Sequence, residues 1–115
     1  MCKSVNKYFS RAGSIAVTAL ALSFSYATNA AEDTGKEVFI QACESCHSGG
    51  FKGWVSGAPA IGEKEDWQKF FKQGEEKMTE TTIKGGEGMD PMGGCKTCSN
   101  EQIAAAVKYI VSQTK

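Results

Sequence analysis

The chain holds a single histidine among its 115 residues. One imidazole cannot make a bis-histidine metal site, and it leaves no second histidine for distal acid–base chemistry. Long apolar runs are also missing. The one apolar stretch, from Ala12 to about Tyr26, falls short of the about 20 residues that a transmembrane helix needs. There is no excess of positive charge, with 13 basic and 13 acidic groups, so the broad basic face that binds nucleic acid is absent. Strand-like alternation is scarce, and no internal repeat or low-complexity tract appears.

What is present begins with order along the chain. Lys3, Lys7 and Arg11 precede the apolar stretch, the small residues Ala27-Thr28-Asn29-Ala30-Ala31 follow it, and the first acids are Glu32 and Asp33. Basic, apolar, then small is the layout of a secretory signal peptide. Cleavage is expected after Ala30, with Ser25-Tyr26-Ala27 as the second choice and an uncleaved anchor as the alternative. No lipid-attachment cysteine follows. The expected domains are therefore residues 1–30 as signal and 31–115 as one mature domain, exported to the periplasm without stable membrane insertion. That domain has 85 residues, with 10 basic against 13 acidic groups, a formal charge of −3. So short a chain has a modest core and generally needs a covalent or metal staple.

Four helical segments are predicted, giving an all-α fold. The first runs from Asp33 to Ala42, capped by Asp33 or Thr34, with Val38 and Phe39 inward. Lys64 to Gln73 carries Trp67, Phe70 and Phe71 on one face and stops at Gly74. Glu75 to Lys84 turns Met78 and Ile83 inward. Asn100 to about Gln113 is capped by Ser99 or Asn100 and buries Ile103, Val107, Ile110 and Val111. Residues 48–62 and 85–98 read as glycine-rich loops. Two such loops in so small a domain imply something for them to wrap around.

Cys43-Glu44-Ser45-Cys46-His47 is C-x-x-C-H, the attachment signature of c-type haem. Two thiols three positions apart on a helical turn share a side, so both can reach the vinyl groups on one porphyrin edge while His47 ligates the iron. One covalent haem c, tied through Cys43 and Cys46, would supply the apolar mass this domain lacks. A zinc site is the competing reading, because Cys95-Lys96-Thr97-Cys98 is a second C-x-x-C. Yet 48 residues lie between Cys46 and Cys95, against about 15–20 in a zinc ribbon. The second pair is followed by Ser99, so it is not another haem site. A thiol–disulfide oxidoreductase would want a βαβ pattern that is not seen.

The other face of the iron separates electron transfer from ligand chemistry. With no second histidine, the candidates are methionines. Met78 sits at a core spacing, whereas Met89 and Met92 both lie in the glycine-rich loop, and the residues alone do not choose between them. A second strong ligand makes an electron carrier and not an enzyme; a labile one makes a haem-based gas sensor or a peroxide-active haem protein.

The residues Cys43-x-x-Cys46-His47, Gly57-Ala58-Pro59, Trp67, the run Met89-Asp90-Pro91-Met92-Gly93-Gly94-Cys95-Lys96-Thr97-Cys98 and the closing helix with Tyr109 resemble the class I cytochromes c, most of all cytochrome c5 of Gram-negative bacteria. The resemblance covers the whole mature region. It implies the class I fold around one haem, and single-electron transfer in a periplasmic respiratory chain. In that family the ligand methionine stands six positions before the first cysteine of the second pair, which points to Met89. Proline usually follows it directly, but here Asp90 intervenes, so Met92 stays open. The resemblance further implies that the Pro59 carbonyl accepts the second ring N–H of His47 and that Cys95 and Cys98 form a disulfide. Gly35 and Phe39 would cross the last helix near Tyr109. The haem edge would be exposed near Lys52, Trp54 and Ala58. The partners implied are redox proteins: membrane respiratory complexes, terminal oxidases or periplasmic reductases.

Overall fold

A computed structural model describes residues 23–86 and 88–115. Residues 1–22, most of the expected export signal, lie outside them. Helix α1 spans Ser23–Val38. It begins well before the expected cap, because residues 23–34 contain neither glycine nor proline to stop it. Thr34 lies inside the helix, its hydroxyl donating to the carbonyl of Ala30 one turn back, at 2.8 Å. The helix does not end at Ala42. It widens into one π turn, Phe39–Cys43, and continues as α2, Glu44–His47. A π turn shifts the helical register of the residues beyond it. Phe39 and Cys43, the first and last residues of the turn, are both buried.

A further helix, α3, Phe51–Ser56, occupies the stretch expected to be irregular. Its glycines argue against a helix, and a tertiary contact overrides them. A side chain at Gly53 would collide with the carbonyl oxygen of Cys46, so only glycine lets α3 lie against the turn that carries the cysteines. Then come α4, Lys64–Phe71, and α5, Glu75–Lys84, with the bounds of α5 as predicted. A 3₁₀ turn, Pro91–Gly94, precedes α6, Asn100–Thr114. Ser99 caps α6 in a reciprocal box: its hydroxyl accepts from the Gln102 amide at 3.2 Å, and Gln102 Oε1 accepts from the Ser99 amide at 2.8 Å. Among the described residues there is no strand, only an isolated bridge between Gly86 and Met89.

Helix α6 is the spine of the core. Ile103, Ala106, Val107, Ile110 and Val111 are buried along it, facing Val38 and Phe39 of the first helical run, Trp67 of α4 and Met78 of α5. Helices α1 and α6 cross closely. A side chain at Gly35 would run into the carbonyl of Ala105 and come within 3.2 Å of Tyr109 Cβ. Beside the crossing, the rings of Phe39 and Tyr109 stand 5.5 Å apart, a tilted contact of the kind aromatic pairs favour. Gly35→Ala should therefore cost about 1–3 kcal/mol through overpacking, seen as a lowered denaturant midpoint. An unchanged midpoint would mean the helices do not meet there.

Candidate haem site

Helix α2 and the π turn before it bring three chemically competent side chains to one wall. Cys43 is buried, Cys46 and His47 are half-buried, and both sulfurs are free. Burial, and secondarily the neighbouring Cys46, push the Cys43 thiol up to about 11. A disulfide oxidoreductase needs the opposite, a thiol lowered toward neutrality. Cys43 is thus poorly set for thiol exchange.

The His47 ring is oriented from behind. Its Nδ1 lies 2.8 Å from the Pro59 carbonyl oxygen. A carbonyl only accepts, so Nδ1 carries the proton and Nε2 is left with its lone pair, the form that binds a metal. The loop supplying that carbonyl is fastened repeatedly. The Ile61 amide donates to the His47 carbonyl at 2.7 Å, and the Trp67 indole N–H donates to the Ala60 carbonyl at 2.7 Å. Trp67 also packs 5.6 Å from the His47 ring and stacks with Phe71. The sequence marks Trp67 only as a core position. The signal for its role in holding the loop is the indole N–H, which a buried tryptophan generally spends on a partner.

These residues face a cavity of about 1080 Å³, at the upper end of the roughly 300–1,000 Å³ of small-molecule clefts. Cys43, Cys46, His47, Pro59 and Met89 all line it, with Ile103, Val107 and Ile110 as its apolar floor. Met78 is core, as predicted, and touches the same cavity. The two loop methionines separate. Met89 is on the cavity wall; Met92 is not, and packs against the core. Gly86 and Met89 exchange two backbone hydrogen bonds of 3.0 Å, reversing the chain so that Met89 follows directly on α5. Met92 takes a left-handed backbone, φ 59°, which costs a side-chain-bearing residue about 1–2 kcal/mol.

Cys95 and Cys98 are joined in a disulfide next to this loop, and the Cys95 amide donates to the Met92 carbonyl at 3.1 Å. Their sulfurs are therefore not thiolates for zinc. Among the described residues no group of three or more His, Cys, Asp and Glu side chains could hold a bare metal ion. The donor set and the apolar floor instead fit a flat, largely apolar group held by two sulfurs and one imidazole nitrogen.

An all-helical domain closing over such a cavity, with two free thiols and an oriented imidazole on its wall, has the architecture of a covalent haem protein. The comparisons agree. The family described as cytochrome C oxidase, cbb3-type, subunit III matches residues 30–110. Cytochrome c-555 of Chlorobaculum tepidum is 33% identical over 85 residues, covering 70% of this chain and 75% of that one. Cytochrome c5 of Azotobacter vinelandii is 28% identical over 76 residues, covering 64% and 87%. A solved cytochrome c, from a crystal structure of the electron transfer complex of nitrite reductase with cytochrome c, superposes with a TM-score of 0.64 at 32% identity, covering 71% of this chain and 95% of that one. The chain belongs to the class I c-type cytochromes. It is a monohaem electron carrier with one covalently attached haem c.

Proposed function

We propose that this cytochrome carries single electrons in a periplasmic respiratory chain. Cys43 and Cys46 would hold the haem through thioethers, and His47 and Met89 would supply the nitrogen and sulfur ligands to its iron. The observation that carries the reading is the shared cavity: Met89 lines it with His47, and Met92 does not. Residues 31–115 are the working domain, and residues 1–30 direct export. The oxidised Cys95–Cys98 pair suits an exported compartment, and no described helix is long and apolar enough to cross a membrane.

The haem supplies reversible one-electron chemistry at iron; the chain's residues decide how that is used. The Pro59 carbonyl keeps the proton on Nδ1 of His47 and so leaves the Nε2 lone pair for the iron. A Met89 thioether held to the iron would favour the ferrous state and keep small ligands out. With His47 and Met89 both holding the iron in either oxidation state, little in the chain would have to move on electron transfer. The direct test is carbon monoxide added to the ferrous wild-type protein. Binding should be slow and weak, and the ferric protein should show the faint far-red band of His–Met ligation. Rapid binding would favour the gas-sensor or peroxide-active alternative.

The partner-facing surface in this reading is helix α3. Phe51 and Trp54 are each 80% exposed, with rings 6.1 Å apart, and Val55 beside them is also exposed. Lys52 and Ser56 of the same helix reach the cavity wall. Lys52 is the only charge between Ser48 and Gly62. Two aromatics and a valine make the centre of a small interface, well under the about 1,600 Å² of a stable complex and in the range of transient electron-transfer encounters. That favours a redox protein, such as a reductase, a terminal oxidase or a membrane respiratory complex, over a second copy of this chain. The nitrite reductase partnered by the structural neighbour belongs to this class. Trp54→Ala should slow electron transfer to such a protein about tenfold or more, as for an aromatic hot spot, while reduction by a small inorganic reductant is unchanged. Equal slowing of both reactions would place the effect at the haem and not at the surface.

A further inference from the structure

Thr114 is the most deeply buried polar residue described, 1% exposed at the end of α6. Burying a hydroxyl costs free energy unless it finds a partner. The partner is 52 residues away: the Gly62 amide donates to Thr114 Oγ1 at 3.1 Å. Gly62 ends the segment whose first residue, Pro59, holds His47. Pro59–Gly62 is thus secured along its length. His47 engages it twice, through Nδ1 at Pro59 and through its own carbonyl at Ile61. Trp67 takes the Ala60 carbonyl, and Thr114 takes the last amide. Valine has the same branched shape and would fill the same space, so packing alone does not require a hydroxyl here.

We infer that Thr114 is a positioning residue for His47: by accepting the Gly62 amide it fixes the Pro59–Gly62 segment, and with it the Pro59 carbonyl on the histidine Nδ1. This rests on His47 being an axial ligand, as proposed above. Loosening that carbonyl makes the imidazole a weaker donor, which disfavours the ferric state. The hydroxyl therefore acts on the redox balance through two loop residues, without touching the cavity.

The test compares Thr114→Val and Thr114→Ser with the wild-type holoprotein. At a fixed ambient potential, the ferrous-to-ferric ratio of Thr114→Val should rise about threefold, an effect below the 10–100-fold of direct ligand-orienting partners. The paramagnetically shifted His47 ring resonances should move, and the Gly62 and Ile61 amides should exchange faster with solvent. Thr114→Ser should restore all three. If Thr114→Val only lowers thermal stability, with ratio and ring resonances unchanged, the residue is merely structural and the inference falls. Should Thr114→Val fail to fold, hydrogen exchange on wild type decides: a Gly62 amide as protected as that of Ile61 supports the bond, and one exchanging at the free-solvent rate overturns it. Visible spectra of each sample keep the two levels apart. A wild-type protein without His-ligated haem defeats the underlying reading, whereas normal spectra with no shift defeat only the role of Thr114.

Discussion

Met89→Ala should abolish the far-red band of the ferric protein, open the iron to cyanide and carbon monoxide, and lower the potential on the order of 0.1 V, within the roughly 0.8 V span over which axial ligands tune haem. The physical basis is that a thioether is a weak ligand held in place by its loop. That loop is pinned on both sides of Met89, by the paired bonds with Gly86 and by the Asp90 carbonyl, which accepts from the Gly93 amide at 2.9 Å. Removing the side chain therefore empties a ligand position without unfolding the domain. Met92→Ala should keep the band and shift the potential only slightly, since Met92 packs against the core away from the cavity wall. The double variant should match Met89→Ala. Loss of the band in Met92→Ala alone would reverse the assignment of the two methionines. Ferric absorption near the far red, with a potentiometric titration, decides between them.

Replacing Cys43 and Cys46 together with alanine should have the largest effect on the molecule as a whole. Haem should no longer travel with the polypeptide in a denaturing gel, and it should be lost to acid–acetone extraction. The fold should go with it. Without the haem, Ile103, Val107 and Ile110 line an open cavity of about 1080 Å³, and apolar core surface left facing water removes the main favourable contribution to folding of so short a chain. The variant should lose most of its far-UV helical signal at room temperature. A variant that keeps helicity and a sharp unfolding transition without haem would show that the cavity collapses onto a stable apo core.

Much of the fold and site is readable from residue order. C-x-x-C-H states its own geometry, because a helical turn puts positions 43 and 46 on one side whatever surrounds them. Helix α6 declares itself through a strong cap and a long apolar stripe, and α5 through its flanking glycines, Gly74 and Gly85. Local pattern fails where a distant contact decides the outcome. Gly49, Gly50, Gly53 and Gly57 make the stretch read as a loop, yet α3 forms because Gly53 fits against the Cys46 carbonyl. The break between Val38 and Glu44 is a π turn that no propensity announces. Met89 and Met92 share one glycine-rich stretch, and it is the folded loop, with its reversal at Gly86 and the left-handed backbone of Met92, that sets one on the cavity wall and the other against the core. Thr114 gives no signal at all, since a polar residue near the end of an amphipathic helix is ordinarily solvated.

The crossing at Gly35 also governs how the chain finds its fold. Gly35 and Ala105 meet although they lie 70 positions apart in the sequence. Closing a loop of that length costs about 4 kcal/mol by the (3/2)RT ln n estimate, and the first and last helices gain nothing from each other until it is closed. A small helical protein ordinarily folds through contacts between neighbours in sequence; this one depends on a contact between its extremes, which slows folding at equal size and stability. Cys43 and Cys46 lie inside that loop, eight and eleven positions beyond Gly35. A haem joined through Cys43 and Cys46 before the two helices meet would place a large apolar surface beside α1 for α6 to condense on.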